Sequence, residues 1–417
     1  MDNSENYFIS VDQARDKISQ LIQPVTGFEC KSLMQALNCI LDEDILATFA
    51  TPPYDNSAMD GYAIAFDNQD LEELSSLELI GTSSAGHPFD KTVNTGQVVR
   101  IMTGAKVPEG ANAVIMQEKT AKTDDGNIKI LNLPKIGENI RYTGEDLQSG
   151  DTILSKGKQL SPTDLAYLAT QGISNVTVKR KLRAAFFSTG DELCSMGEAL
   201  GEGQIYDSNR YSIFGMLTNM GLDVMDMGII KDDRQAIEQA FMQAAENADL
   251  VITSGGVSVG DADYVKETLE KLGNIDFWKI SMKPGKPLAF GKLNNTLFFG
   301  LPGNPVAVIA TFYQIAQTAI KQLSGQTPRF DNNKDSFTIL ATTDQLIKKR
   351  PGRTDFQRGI FSSDNDGNVT VKLAGTQASH ILTSMSKANC FIVLDKDQGS
   401  VEAGKTVKIQ PFYGLLG

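Results

Sequence analysis

The pattern of apolar and polar positions divides the chain into stretches of different character. Residues 10–23 place apolar side chains at helical spacing after Ser10, a residue type common at N-caps, and so predict a helix. Residues 51–146 carry short β-branched runs among Gly, Pro and Thr, which is typical of a β region. Residues 161–172 predict a second capped helix, with Pro in its first turn and Gly172 at its end.

The pattern changes between residues 182 and 324, where strand-like and helical segments alternate. Strands are predicted at LRAAFFS, LDVMDMGII, DLVITS and TLFFG, and a helix follows each of them, the last running from Val306 to about Leu323. This alternation indicates parallel crossovers, so we predict a three-layer α/β domain. The residues after it predict a small β domain of strands and turns.

Composition narrows the possible classes of protein. A length of 417 residues suggests about two to four domains, and the net charge of −12 argues against nonspecific nucleic-acid binding. No apolar run approaches the roughly 20 residues needed to span a bilayer. The polar start MDNSENYFIS shows no pattern of a signal peptide, and together these features predict a cytoplasmic protein.

Cysteine and histidine, the residues that bind soft metal ions, are scarce. The chain has four cysteines without CxxC spacing and two histidines, His87 and His380, so zinc fingers and disulfide frameworks are not expected. A functional metal ion should therefore be a hard cation with carboxylate and phosphate oxygens as ligands, magnesium before zinc.

Acidic residues follow the predicted strands of the α/β region. Ligands bind outside the carboxyl ends of strands in open parallel sheets, so the loops STGDEL, IIKDD, SGGVSVGDADY and LPGNPV should converge there. Crowded like charges favour a cation between them, whereas a single acid after a strand is as often a helix N-cap. The acids in these loops are Asp191, Glu192, Asp232, Asp233, Asp261 and Asp263.

Basic and glycine-rich segments predict an anion site. The backbone of SGGVSVGD, with Ser254, Gly255 and Gly256, is suited to a phosphate group, although this signal alone is weak. The segment KISMKPGKP clusters Lys279, Lys283 and Lys286, which is either an anion site or a solvated turn. The segment RPGRTDFQRG adds Arg350, Arg353 and Arg358, whose guanidinium groups suit oxyanions.

One short segment matches a nucleotide-binding motif but is not expected to form that site. Residues 399–406 match GxxxxGK[ST], but a phosphate-binding P-loop needs a helix after it, and VKIQPF predicts a strand. Glu402 in the same segment would also repel phosphate. We therefore interpret the match as a β-turn.

Taken in order, the loop motifs resemble those of the MoeA family of molybdopterin molybdenumtransferases, which is similar to the E domain of gephyrin. The resemblance runs from about residue 10 to the C-terminus. The motifs that carry it are DNSAMDGYA (55–63), RIMTGAKVP (100–108), GED (144–146), STGDEL (188–193), GQIYDSN (203–209), SGGVSVGDADY (254–264), KPGKP (283–287), LPGNPV (301–306), PGRTDFQRG (351–359), SHI (379–381) and NCFIVL (389–394).

The resemblance implies an architecture and a reaction. It implies a multidomain α/β and β chain: a helical/linker domain at 1–50 plus 147–180, an inserted β domain at 51–146, an α/β domain like molybdopterin adenylyltransferase at 181–328, and a small C-terminal β-barrel at 329–417. It implies a homodimer that inserts molybdate into adenylylated molybdopterin and releases AMP with Mg²⁺ assistance. The implied partners are the adenylyltransferase and the acceptor molybdoenzymes.

The resemblance also implies roles for individual residues, carried over by motif. Glu192, Asp232 and Asp263 would hold the metal and the AMP phosphate region. The implied catalytic residues are Asp60, Thr103, Asp146 and Asp263, and the implied substrate-binding residues are Ser254, Gly255, Gly256, Lys279, Lys283, Lys286, Pro287, Pro302, Pro305, Arg353 and Ser379. The chain departs from many relatives at Ala307, where they carry Ser, and Ala307 is left out of the predicted site.

Two other functions compete with this one. A molybdopterin adenylyltransferase would use the same α/β loops with ATP, but it corresponds to the α/β domain alone and leaves the other regions unexplained. A non-enzymatic scaffold has no need for the charged loops. The transferase is therefore the favoured hypothesis.

Overall fold

The computed structural model describes residues 8–66, 76–255, 264–327 and 337–412. The contacts within the chain divide it into two compact units. The larger unit comprises residues 1–42, 157–161 and 176–417, and the smaller comprises 43–156 and 162–175. Within the described residues, no helix is long and apolar enough to cross a membrane.

A seven-stranded sheet forms the centre of the larger unit. All neighbouring strands are parallel except around Pro287–Leu293, which runs antiparallel to both of its neighbours. The strands, in spatial order, are Phe8–Ile9, Gly273–Ile280, Pro287–Leu293, Thr296–Leu301, Leu250–Ser254, Arg183–Thr189 and Asp223–Ile230. The predicted strands of this sheet pair in parallel, as expected. The antiparallel strand Pro287–Leu293 was not predicted; it follows its neighbour through a short turn and needs no crossover helix.

Helices cover both faces of this sheet, as predicted. Along Arg183–Thr189, Phe186 packs into one apolar core and Phe187 into the other, because successive side chains of a strand point to opposite faces. The first core is covered by the helices Val11–Leu21, Ser208–Asn219 and Pro305–Thr311 with its continuation, and the second by Arg234–Asn247 and Tyr264–Leu272. The three-layer α/β fold is confirmed.

Local sequence signals explain the ends of the helices. Ser10 and Gln13 form a capping box at the start of Val11–Leu21: the Gln13 N–H donates to Ser10 Oγ and the Ser10 N–H donates to Gln13 Oε1. The last helix begins with Pro305 at its first position, where the missing N–H costs nothing. It continues through a π-helical segment, Phe312–Ala316, into Gln317–Leu323.

A closed five-stranded barrel follows in the C-terminal part of the larger unit. Its strands pair in the order Thr354–Ser363, Val369–Leu373, Ile339–Thr343, Thr406–Pro411 and Cys390–Leu394, and the last pairs with the first. The strand Met282–Lys283 adds to the outside of Thr354–Ser363, and the helix Leu382–Lys387 precedes Cys390–Leu394. The predicted C-terminal barrel is confirmed. Smaller elements of this unit are Phe28–Ser32, Leu33–Gln35, Asn175–Lys179, Leu193–Cys194 and Ile205–Tyr206.

The smaller unit is built on a four-stranded sheet. Its strands lie in the order Glu78–Ser83, Gln97–Ile101, Gly61–Ile64 and Ala113–Met116, and apolar clusters cover both faces. The predicted helix at 161–172 is present as Pro162–Thr170. The remaining elements are Ile45–Leu46, Asn56–Ser57, Gln117–Lys119, Thr120–Lys122, Ile128–Ile130, Ile140–Arg141 and Thr152–Leu154.

Candidate functional site

A cavity of about 940 Å³ lies at the carboxyl ends of the parallel strands in the larger unit. All four loops expected to converge there contribute to its wall, with Glu192, Asp232, Gly255 and Pro302. The convergence follows from the sheet, since parallel strands end at the same edge. The structure thus brings together segments that are more than a hundred residues apart in sequence.

Gly255, which follows the strand Leu250–Ser254, has a conformational role. Gly255 has a φ of +89°, and a Cβ atom at this position would lie 2.6 Å from the carbonyl oxygen of Thr189. Any other residue would be strained and would separate two neighbouring strand ends. The rest of the SGGVSVGD motif, with Gly256, Asp261 and Asp263, lies outside the described residues.

Carboxylates form one side of the cavity. Burial raises the pKa of Asp232, and the nearby charges of Asp191 and Glu192 raise it further. This crowding is the environment expected beside a cation. Within the described residues, however, no three acidic, His or Cys side chains group closely enough to bind a metal on their own.

One of the predicted acids has a structural role instead. The Asp233 side chain accepts a hydrogen bond from the Ala236 N–H at 2.9 Å and caps the helix Arg234–Asn247. The N-cap alternative, left open by the sequence, therefore holds at this position.

Cations form the opposite side of the cavity. Lys283, Lys286, Pro287 and Arg353 all line it. The register of two parallel strands explains how they meet, since Met282 pairs with Thr354, the residue that follows Arg353.

The turn between the two lysines is tightly packed. Gly285 has a φ of +103°, and a Cβ atom there would overlap the Thr311 hydroxyl. The Lys286 ammonium lies 5.1 Å from the centre of the Phe8 ring, a cation–π distance. The KPGKP turn is therefore a built part of the cavity wall and not only a solvated turn.

A segment leading out of the barrel completes the wall. It comprises Gln377, Ala378, Ser379 and His380. The carbonyl of Ser379 accepts a hydrogen bond from the Val306 N–H at 3.1 Å, in the first turn of the helix Pro305–Thr311. This bond joins the segment to the LPGNP turn.

Three predicted binding residues lie beside the cavity and do not line it. Ser254 is buried at its strand end, where its hydroxyl accepts a hydrogen bond from Asn209 at 2.8 Å. Lys279 pairs with Pro287 in the sheet, and Pro305 begins the helix behind the LPGNP turn. Their positions suit a supporting role for the residues that line the wall.

The expectation that Arg358 presents its guanidinium to an oxyanion was wrong. Its side chain is only 1% exposed and does not line the cavity, since its guanidinium donates to the carbonyls of Thr376 and Ala378 and to the Ser384 hydroxyl. Arg353, five residues earlier on the same segment, does line the cavity, whereas Arg350 is exposed and does not.

The catalytic residues expected from the β region lie in the smaller unit. Asp60 and Thr103 are in direct contact: the Thr103 N–H and hydroxyl each donate to Asp60 Oδ1 at 2.7 Å. These two bonds, the backbone one first, lower the pKa of Asp60, and Arg100 adds to the effect. Asp146 is exposed, and its N–H donates to the Thr51 carbonyl.

Sequence reasoning missed several residues of the wall. Asn304 and His380 lie in motifs that were recognised, LPGNP and SHI, but neither was singled out, and Gln377 lies in no motif. Asn209, in GQIYDSN, donates to the Gly303 carbonyl at 2.7 Å and supports the LPGNP turn. The motifs GQIYDSN and SHI were the available signals for Asn209 and His380.

Family models cover most of the chain. Residues 9–172 match the MoeA N-terminal region (domain I and II), residues 185–322 a probable molybdopterin binding domain, and residues 341–412 the MoeA C-terminal region (domain IV). The chain is 46% identical to the molybdopterin molybdenumtransferase of Haemophilus influenzae over 98% of its length and 100% of that protein. The chain belongs to the MoeA family.

Other relatives agree with this assignment. The molybdopterin molybdenumtransferase of Bacillus subtilis is 33% identical over 96% of this chain and 93% of its own. A crystal structure of a molybdopterin biosynthesis moeA protein from Pyrococcus horikoshii superposes with a TM-score of 0.83 at 27% identity, covering 97% of this chain and 100% of that one. The predictions of family, fold class and a transferase role in molybdenum cofactor biosynthesis are confirmed, and the adenylyltransferase and scaffold alternatives are not favoured.

Proposed function

We propose that the protein inserts molybdenum from molybdate into adenylylated molybdopterin and releases AMP, acting as a cytoplasmic homodimer with a divalent cation. The observation that carries this proposal is the cavity of the larger unit, with carboxylates on one side and Lys283, Lys286 and Arg353 on the other. A substrate that combines phosphate groups with an incoming oxyanion suits such a divided site, because each anionic part finds its own partner.

The basic side is suited to binding molybdate. Arg353 presents a planar fork of N–H donors that matches an oxyanion, and the two lysines supply mobile point charges. The hydroxyl of Ser379 is available in the neighbouring segment. Ala307 also lines the cavity, at the position where many relatives carry Ser. If the hydroxyl of that Ser contacts molybdate, this chain must use another donor, and the Ser379 hydroxyl is the candidate.

The acidic side is suited to magnesium. Glu192 and Asp232 would hold the ion. Burial, with the charges of Asp191 and Glu192 after it, raises the pKa of Asp232, and a cation would favour its ionised form. Two carboxylates leave positions for phosphate oxygens and for Asp263, as magnesium sites in nucleotide enzymes usually require. Once bound, the ion would supply charge stabilisation at the phosphoryl oxygens of the link between AMP and the pterin.

Asp60 is better suited to orienting a group than to accepting a proton. Its lowered pKa keeps it ionised at neutral pH and makes it a weak base. Thr103 fixes one carboxylate oxygen with two hydrogen bonds. We therefore assign Asp60 to orienting water or substrate through its other oxygen.

We also propose that the chain has the four-part division expected from its motifs and that it dimerises to complete its sites. The implied site residues are divided between units, with the catalytic Asp60 and Thr103 in the smaller and the metal-binding Glu192 and Asp232 in the larger. A two-fold dimer builds two equal sites when each draws on both chains.

The function is tested by following AMP release. The purified protein is incubated with adenylylated molybdopterin and magnesium, with and without molybdate, and AMP is measured by chromatography. We expect AMP release that depends on molybdate, together with a product that activates an acceptor apo-molybdoenzyme. A second incubation, with molybdopterin and ATP, tests the alternative: formation of adenylylated pterin there without molybdate would identify the adenylyltransferase.

A further inference from the structure

Arg358 is a buried cation beneath one wall of the cavity. Its guanidinium donates to three neutral oxygens: the carbonyls of Thr376 and Ala378, at 3.1 and 3.0 Å, and the Ser384 hydroxyl, at 3.2 Å. Its own backbone is tied to Gln377, since the Arg358 N–H donates to Gln377 Oε1 and Gln377 Nε2 donates to the Arg358 carbonyl. The segment that carries Ser379 and His380 is therefore held by several hydrogen bonds to this residue, in addition to its bond to Val306.

The charge of Arg358 has no acidic partner in the part of the chain that the structure describes. Among the described residues, no carboxylate lies within ion-pair distance of its guanidinium. Burial lowers the pKa of Arg358 to about 10, which still leaves it protonated at neutral pH. Burial of a cation without a counter-ion costs free energy of folding, so we expect Arg358 to have a role that offsets this cost. Its hydrogen bonds polarise the peptide groups that accept them.

The orientation of those peptides has a consequence for the cavity. In a trans peptide the N–H points opposite to the C=O, and the structure has no cis bond in this segment. The peptides 376–377 and 378–379 direct their carbonyls at Arg358, so the N–H groups of Gln377 and Ser379 point away from it. Neither N–H donates a hydrogen bond within the described parts of the chain.

The segment that carries these N–H groups lines the cavity. Arg358 does not line the cavity, whereas all four residues 377–380 do. The two N–H groups that point away from Arg358 therefore belong to residues of the cavity wall. Two such donors on one strand-like segment, polarised from behind by a cation, resemble the preorganised donor pairs that stabilise oxyanions.

We propose that Arg358 is a positioning residue, which holds the carbonyls of Thr376 and Ala378 so that the N–H groups of Gln377 and Ser379 bind a tetrahedral oxyanion in the cavity. The inference rests on the proposed function, which supplies two such groups, molybdate and the phosphoryl group of the nucleotide. Both groups are tetrahedral oxyanions, and binding measurements with each anion alone distinguish which of them these N–H groups bind.

The test compares Arg358→Lys with wild type and with Lys372→Gln. Lysine keeps the charge but has a single nitrogen in place of Nη2, which donates to both carbonyls, and Nε, which donates to Ser384. Lys372→Gln removes an exposed cation of the same barrel. Binding of molybdate alone and of AMP alone is measured by calorimetry, after circular dichroism and thermal melting have shown that each variant is folded. Arg358→Lys should weaken binding of one anion about tenfold, and Lys372→Gln should weaken neither.

Enzyme kinetics distinguish positioning from a general structural role. If molybdate is the bound anion, Arg358→Lys should raise the KM for molybdate about tenfold and leave kcat nearly unchanged, because the lost contact is made in the ground state as well. If Arg358→Lys does not fold, Ser384→Ala, which removes the Nε acceptor together with the hydroxyl's own hydrogen bond to the Ile381 carbonyl, should weaken the same anion about threefold.

The outcomes are separable. A loss confined to molybdate or confined to AMP supports the inference and identifies the anion. Unchanged binding of both anions in folded Arg358→Lys overturns it and leaves the proposed function untouched. If the wild-type protein binds neither anion, the proposed function fails together with the inference.

Discussion

Asp60 Oδ1 accepts two hydrogen bonds from Thr103, one from the backbone N–H and one from the hydroxyl, each 2.7 Å long. The two residues are 43 positions apart, on segments that the four-stranded sheet of the smaller unit holds together. Both bonds stabilise the ionised form of Asp60, and its pKa is lowered as a result. Asp60 therefore stays ionised at a lower pH than an ordinary aspartate does.

Substitution of Thr103 should change the pH dependence of turnover. Thr103→Val removes the hydroxyl bond and keeps the N–H, so the pKa of Asp60 should rise towards its ordinary value. If turnover needs ionised Asp60, the acid limb of the profile of kcat/KM against pH should move to higher pH. Thr103→Ser keeps both bonds and is the matched control. If the acid limb of Thr103→Val stays at the wild-type pH, Asp60 is not the group whose ionisation limits turnover.

The two adjacent acids Asp232 and Asp233 should differ sharply. Asp232 lines the cavity, and Asp232→Asn should lower turnover on the order of 100-fold, because the neutral amide is a poor ligand for a divalent cation. Asp233 caps a helix through a side-chain oxygen that Asn also has, so Asp233→Asn should keep both stability and activity. EDTA should stop turnover of the wild type, and magnesium should restore it. Full turnover in EDTA would contradict the metal assignment.

The fold was predictable where short-range patterns decide it. The strand–helix alternation of residues 182–324 predicted the layers, because each element carries its own apolar period. The antiparallel strand Pro287–Leu293 was missed, since its first residues were interpreted only as part of a basic turn. Its pairing depends on contacts that periodicity does not encode.

The site was predictable in its charged loops and less so in its supporting contacts. Glu192, Asp232, Lys283 and Arg353 were expected from the motifs and do line one cavity. Arg358 carries the same chemical group as Arg353 but is buried against residues 376–384, because burial depends on the three-dimensional course of the strand. Residue type alone does not separate an arginine that binds a ligand from one that positions the backbone.

Lys405 tests the interpretation of the P-loop-like sequence. Gly404 has a φ of +80°, and the strand Thr406–Pro411 begins two residues after it, so the helix that a P-loop requires is absent. Lys405→Ala should therefore leave nucleotide binding and turnover within about twofold of wild type. Measurement of AMP binding by calorimetry checks this. A loss as large as that in Asp232→Asn would restore the P-loop interpretation.

The last prediction asks whether one active site draws on one chain or on two. Asp60 and Asp232 belong to different units of the chain, and the proposed dimer offers each cavity a second copy of Asp60. Asp60→Asn and Asp232→Asn should each be nearly inactive as homodimers, because every site then carries a lesion. The two variants, with different affinity tags, are dissociated, mixed in equal amounts and allowed to reassociate, and the dimers with both tags are purified.

A shared site predicts recovery of activity in the mixture. If Asp60 of one chain serves the cavity of its partner, each mixed dimer has one site with both lesions and one with none. Random pairing makes about half of the dimers mixed, so the unpurified mixture should recover about a quarter of wild-type turnover, and the purified mixed dimers about half. If both residues serve the cavity of their own chain, every site keeps one lesion and the mixture stays inactive. Inactive dimers that carry both tags would therefore reject the shared site and leave the proposed reaction standing, since each residue would still be required within its own chain.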